Sequence, residues 1–311
     1  MTSVPGHDAF RSILRRRTLV AAGAIGTSVL AARPSHLAEH GNIVTLLRDE
    51  PGILAGIQDA FYAAGCDLVD TATFDANAQS LARIGREAET RELNRLAAAH
   101  LNAVRDAWTT PAHPRFSAGS IGPGWLSPVR GEVSYPALVE SYAEQVHGLL
   151  EGGVDVLKVE SVHDVARAGA ALEAIRMAMR DDGANLPVIV SFSPLPGSAL
   201  AEGVSLVDAA RGVAETGLVD AVGVNCGAGP AALAPALHEL AGLNIPLFFA
   251  PAAGIPGTGD RAVSKLATPG HFAAAVMRVV RTTPVSIAGG CCGTTPAHLA
   301  GLSGRLQAAA P

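Results

Sequence analysis

Eight short apolar, β-branched runs, most of them ending at or just before Gly, Ser, Thr or Asn, recur along the chain with helical patterns between them. They are residues 18–22, 68–73, 116–121, 154–160, 187–192, 221–226, 246–250 and 284–289. In segments such as 134–151, 164–180, 205–216 and 270–281, apolar residues return at three- and four-residue steps, as an amphipathic helix requires. Strand and helix therefore alternate, and eight alternations predict a parallel (β/α)8 barrel rather than an open doubly wound sheet. No Pro/Gly/Ser-rich linker divides the 311 residues. One barrel over 18–308, preceded by an extension over 1–17, is the economical organisation. The longest stretch without a strand, 30–67, is expected to hold an extra helix or lid around 46–64.

The N-terminal run has two readings. Arg15, Arg16 and Arg17 precede an apolar run over 18–32, as in a twin-arginine export signal, yet the run is also the length of a first strand followed by the glycine turn Gly23-Ala24-Ile25-Gly26. The strand reading is preferred, with a cytoplasmic location. No run of about 18 apolar residues occurs, so no transmembrane helix and no membrane partner are expected. With 23 basic against 28 acidic residues and 4% aromatics, the chain has neither the basic footprint nor the stacking residues for nucleic acid.

In this architecture function gathers where strands end and loops begin. Three of the four cysteines lie at such places. Cys226 closes the sixth run, in Val224-Asn225-Cys226-Gly227, and Cys291 and Cys292 follow the eighth, in Gly289-Gly290-Cys291-Cys292-Gly293-Thr294. Three convergent thiolates suit zinc, and three protein ligands with one open position is a catalytic pattern. A redox-active vicinal pair and ordinary core packing are the competing readings. Cys66, in Ala64-Gly65-Cys66-Asp67, reads as a core residue. Thr295-Pro296 reads as a helix start directly after the cysteines. His113, His163 and His298 read as surface or capping residues, Gly122-Pro123-Gly124-Trp125 as a turn, and Gly227-Ala228-Gly229 as too little alone for a phosphate loop.

The paired motifs Gly-Gly-Cys-Cys-Gly-Thr and Asn-Cys resemble those of the zinc-dependent homocysteine S-methyltransferases, most closely the branch forming the homocysteine-binding module of cobalamin-dependent methionine synthase. The resemblance covers about 18–308. It is supported by Gly119-Ser120-Ile121-Gly122-Pro123, by Ala64-Gly65-Cys66-Asp67 leading into Thr71-Ala72-Thr73-Phe74, by Glu160, and by Pro251-Ala252-Ala253-Gly254-Ile255-Pro256. It implies a (β/α)8 barrel with one zinc ion on Cys226, Cys291 and Cys292 at the C-terminal ends of the strands. It also implies methyl transfer to a zinc-activated thiol, most simply homocysteine to give methionine, with Glu160, Ser120, Thr71 and Asn225 as substrate contacts. The donor would be a methylated corrinoid on a separate partner protein or a methyl-sulfonium compound. Where the family carries Asp, Asn and Asn, this chain has Ala22, Ala72 and Ala252, so Glu160 remains as the ammonium partner, and a different thiol acceptor or a non-catalytic zinc-binding barrel stays open.

Overall fold

The computed structural model describes residues 7–195, 197–254 and 267–309. Its centre is an eight-stranded parallel sheet: β1 (Leu19–Val20), β2 (Leu68–Asp70), β3 (Phe116–Ile121), β4 (Val156–Val162), β5 (Val188–Phe192), β6 (Ala221–Cys226), β7 (Leu247–Pro251) and β8 (Val285–Ala288). From β2 to β8 each strand pairs with its successor, and β1 pairs with β8. The ring is completed by a parallel bridge between Ala21 and Leu68, with Asp67 N–H donating to Val20 O (2.7 Å) and Ala22 N–H to Leu68 O (2.8 Å). The (β/α)8 expectation holds, with β3 and β6 at the expected bounds and the other strand ends moved by at most three residues.

Helices start where short polar side chains cap them. Ser134, Asp164, Ser205 and Thr268 each accept a backbone N–H from the first turn of the helices Tyr135–Glu151, Val165–Asp181, Leu206–Glu215 and Pro269–Thr282. Two expectations change. Residues 46–64 form a short turn of helix, Leu46–Asp49, and then the helix Pro51–Ala63. That helix is not a lid: Leu54, Phe61 and Tyr62 are fully buried, and the Tyr62 hydroxyl donates to Phe116 O (2.9 Å), so it belongs to the outer layer between β1 and β2. The second change concerns the stretch set apart as an extension. Its helix His7–Leu14 sends Phe10 and Leu14 into the apolar cluster formed by Leu19, Leu68, Phe116, Val156, Ile189 and Ile287 inside the barrel. Phe10 meets Phe116 edge-on at 5.1 Å. Arg11 pairs with Asp220 (2.7 Å), which also accepts the Val188 N–H, and Arg17 forms a two-bonded pair with Asp67 (2.8 Å each).

Alternation along the strands sorts the interior. On β4, Leu157 and Val159 pack outward with the helices, whereas Val156 points inward to the apolar floor. Two residues on, the inward positions become polar: Asp70, Ser120, Lys158 and Ser191, and above them Glu160, Asn225 and, past the end of β8, Cys291. A polar well thus stands on a sealed apolar floor.

Removing the plug should loosen that floor. Phe10→Ala is expected to destabilise the fold by about 3 to 5 kcal/mol, measured by chemical denaturation; a loss below about 1 kcal/mol would mean that the helix does not seal the barrel.

Candidate metal centre

β6 and β8 are separated by β7, and the end of β7 joins their two cysteine segments. Ala252 N–H donates to Cys226 O (2.9 Å), Cys291 N–H to Pro251 O (3.0 Å) and Ala253 N–H to Cys292 O (2.9 Å). The backbone then turns sharply. Cys226 adopts the left-handed conformation (φ 68°), which turns its thiol toward the other segment at a conformational cost that functional sites commonly carry. Gly289 and Gly290 allow the close approach after β8: a Cβ would fall 2.7 Å from Ala21 O at the first and 2.6 Å from the Thr294 side chain at the second. The Thr294 hydroxyl closes the turn by donating to Cys291 O (2.6 Å).

The result is a triangle of sulfurs. Cys226 Sγ lies 3.7 Å and Cys291 Sγ 4.0 Å from Cys292 Sγ, and all three sulfurs fall within 4.8 Å of one another. A tetrahedral ion with Zn–S bonds of about 2.3 Å places its sulfurs about 3.8 Å apart, close to the two separations at Cys292, so the donor set suits zinc. Among the described residues, no other group of three His, Cys, Asp or Glu gathers its ligand atoms this closely. Cys291 is buried while Cys226 and Cys292 are half-buried, leaving one face of the triangle reachable.

All three thiols are reluctant to ionise. Contact with the Cys226 sulfur, then burial, pushes the Cys291 thiol well above its ordinary value. Contact with Cys291 favours ionisation of Cys226, but its contact with Cys292 and burial prevail and carry it up to about 11. Contact with Cys226 likewise favours ionisation of Cys292, while Cys291 and burial carry it to about 12. A cation reverses this balance, because three neighbouring thiolates need one.

Asn225 holds the cluster from below. Its Oδ1 accepts from Ser161 N–H (3.0 Å) and Ser191 Oγ (2.9 Å), and its Nδ2 donates to Ser161 Oγ (2.7 Å) and toward Cys291 Sγ (3.7 Å). Both ends of the amide are thereby engaged by protein groups, the Cys291 sulfur among them. Ser161 is itself left-handed (φ 58°), where the β4–β5 pairing shifts register between Val159 and Val162.

Beside the sulfurs lies a charged group. Glu160 accepts from Ser120 Oγ (2.5 Å) on one oxygen and pairs with Lys158 Nζ (3.1 Å) on the other, and Lys158 also pairs with Asp70 Oδ2 (2.6 Å). The negative charge of Glu160 is felt by both Cys291 and Cys292. Burial, the largest influence, raises the Asp70 carboxyl to about 7 against the pull of Lys158. For Lys158 burial works against the charge, and Asp70 with Glu160 more than offsets it, so the ammonium keeps its proton well above the ordinary lysine range.

Of the residues read from sequence, the structure therefore brings together Cys226, Cys291, Cys292 and Asn225, with Ser120 and Glu160 alongside. Thr71 is not part of this group: it alternates with inward-facing Asp70, and its hydroxyl accepts the Ser120 N–H (3.0 Å) and meets Thr73 (2.6 Å), fastening β2 to β3. Asp70 and Lys158 were not foreseen, although a lysine two residues before Glu160 in an otherwise apolar strand was the available signal. Ala22, Ala72 and Ala252 are buried. Cys66 is fully buried, as expected of a core residue. His113 and His163 are exposed, and His298, expected as a surface or capping residue, caps the helix Pro296–Ala309 from a buried position: it accepts the Thr295 N–H (3.2 Å) and lies between Thr295 Oγ1 (2.8 Å) and Ala267 O (2.7 Å). Ile255 and Pro256, of the Pro251–Pro256 motif, lie outside the described residues.

A model of the homocysteine S-methyltransferase domain matches residues 19–306. The chain belongs to the homocysteine S-methyltransferase family. Curated relatives of this family member include methionine synthase from Mycobacterium leprae (strain TN), 32% identical over 290 residues, and methionine synthase from Mycobacterium tuberculosis (strain ATCC 25618 / H37Rv), 31% identical over 291. Each match takes in 92% of this chain but 24% of the relative, so the chain spans about a quarter of their length. Among solved structures, the homocysteine methyltransferase MmuM from Escherichia coli superposes in its metallated form with a TM-score of 0.77 at 24% identity, over 95% of this chain and 99% of that one. Its oxidised form superposes with a TM-score of 0.76 at 25% identity over the same shares.

Two outcomes test the geometry. Asn225→Ala, which releases Cys291 from its amide, should weaken zinc affinity about 10- to 100-fold in a chelator competition; unchanged affinity would deny Asn225 its positioning role. Since the folded chain holds the thiol protons more tightly than the unfolded chain, metal-free protein should lose stability as pH rises from the ordinary thiol value, about 8.5, toward the 11 and 12 of Cys226 and Cys292. Zinc-loaded protein, followed by thermal denaturation over the same range, should not show that loss.

Proposed function

We propose that the protein is a zinc-dependent S-methyltransferase that methylates a small thiol, homocysteine being the acceptor that family membership favours and methionine the product. The triangle of sulfurs at the mouth of the barrel carries this reading, because its spacing suits a tetrahedral zinc with one position left for a substrate sulfur. Zinc bound there supplies the acidity that keeps an acceptor thiol, with a free pKa of about 8.5, in its nucleophilic thiolate form at neutral pH.

The chain's own residues do the rest. Cys226, Cys291 and Cys292 would hold the ion with an electron-rich donor set, which would leave an acceptor thiolate a good nucleophile. Asn225 fixes the Cys291 sulfur through Ser161 and Ser191. Ser120 and Lys158 fix the carboxylate of Glu160 beside the site. In the transfer, the sulfur–carbon bond forms as the methyl carbon leaves its donor, and the acceptor's proton has already passed to solvent on binding. Either a methylated corrinoid on a separate partner protein or a methyl-sulfonium compound can deliver the methyl group to the reachable face. We place the protein in the cytoplasm, where a cluster of three thiols stays reduced.

Methylation of homocysteine should be detected by mass spectrometry with at least one of the two donor classes. Chelation should abolish it, added zinc should restore it, and Cys292→Ser should lower it by more than about a hundredfold. A stoichiometric zinc protein that transfers no methyl group from either donor to any small thiol would instead favour a non-catalytic zinc-binding barrel.

A further inference from the structure

Lys158 is buried in the middle of the proposed site, and beyond fixing Glu160 its charge has no task in the transfer chemistry. Along β4 the inward positions are Val156 in the apolar floor, Lys158 above it, and Glu160 at the level from which its charge reaches Cys291 and Cys292. The Lys158 side chain is 4% exposed, and its ammonium lies 2.6 Å from Asp70 and 3.1 Å from Glu160. The second oxygen of Glu160 receives the Ser120 hydroxyl. The carboxylate facing the sulfurs thus has its counter-ion built into the chain.

This bears on what can enter. An amino-acid thiol whose sulfur approaches the cysteines brings an α-ammonium of its own, and that charge needs a carboxylate. Glu160 is already engaged on both oxygens, and a second ammonium beside it meets the like charge of Lys158 in a poorly screened interior. Asp70 is held by the same ammonium (2.6 Å) rather than free for a ligand. Among the described residues, the alternatives on the wall are few. Ala22, Ala72 and Ala252, buried where β1, β2 and β7 end, offer no side-chain oxygen, and the Asn225 amide is engaged by Ser161, Ser191 and Cys291.

We propose that Lys158 is a specificity-determining residue: its ammonium stands where an amino acid's own would pair with Glu160, so the preferred acceptor is a small thiol carrying no free ammonium. This deepens the reading of the site as a thiol-methylating centre and rests on it. Lys158 acts on acceptor choice through Glu160, so it should alter which thiol binds without altering how zinc is held.

The direct test compares homocysteine with 4-mercaptobutanoate, the same thiol without its amino group. Each is titrated calorimetrically into zinc-loaded protein at pH 7. We expect 4-mercaptobutanoate to bind at least about tenfold more tightly, and the double variant Asp70→Asn/Lys158→Met, which removes both ends of the buried pair and keeps Glu160, to move the ratio of the two affinities at least about tenfold toward homocysteine. Zinc content and circular dichroism of the variant establish that it is folded; should it not fold, the wild-type ratio alone decides. Equal binding, or tighter binding of homocysteine, by the wild-type protein overturns the inference and leaves the methyltransferase reading standing. An unchanged ratio in a folded variant overturns the role of Lys158. Binding of neither thiol to zinc-loaded protein removes the methyltransferase reading, and the inference with it.

Discussion

Closure of the sheet is the constraint on which the rest depends. Four backbone groups at the seam, those of Val20, Asp67, Leu68 and Ala22, make a ring of what would otherwise be a twisted open sheet. The Asp67 side chain reinforces the seam by accepting the Val20 N–H (2.9 Å) and pairing with Arg17 and Arg115. In a ring, residues more than sixty positions apart in sequence, such as Cys226 and Cys292, end on one rim. The end of β7 then sets their separation through its backbone bonds to both segments, so the sulfur spacing is inherited from main-chain geometry and not from flexible side chains.

Closure also creates an interior that water leaves, and the chain fills it in two ways. Below, Phe10, Phe116, Val156 and Ile287 pack as an apolar floor. Above, Asp70, Lys158, Glu160, Ser120 and Asn225 are held by one another. Buried ion pairs seldom improve stability over apolar packing of the same volume. Here one occupies the inward positions just above the apolar floor, which marks the upper half of the barrel as the part shaped for a ligand.

Much of this was legible in the sequence, for identifiable reasons. The eight strands stand out because strands covered by helices on one side and core on the other are continuously apolar. The cysteines stand out because adjacent thiols between glycines make poor core material. Strand ends were less legible: hydrogen-bonded pairing stops β2 at Asp70, three residues short of the apolar run. The plug helix was missed because its apolar residues, Phe10, Ile13 and Leu14, make a short stripe in a basic segment, and what they cover is fixed only by the closed ring. The pairing of Lys158 with Asp70 joins residues 88 apart. Nothing local announces it, although alternation along β4 puts the lysine inside. His298 was legible as a capping residue but not as a buried one, because helix starts are usually exposed, and here the ring meets the carbonyl of Ala267.

The central claim is that three sulfurs on the rim hold a zinc ion with room for one more. Zinc-edge X-ray absorption on reduced, stoichiometrically loaded protein, before and after adding 4-mercaptobutanoate or homocysteine, tests it most directly. The account predicts three sulfurs at about 2.3 Å with one lighter ligand, becoming four sulfurs when an acceptor thiol binds. Reduced protein that retains no zinc, or a zinc shell that neither thiol changes, would contradict it.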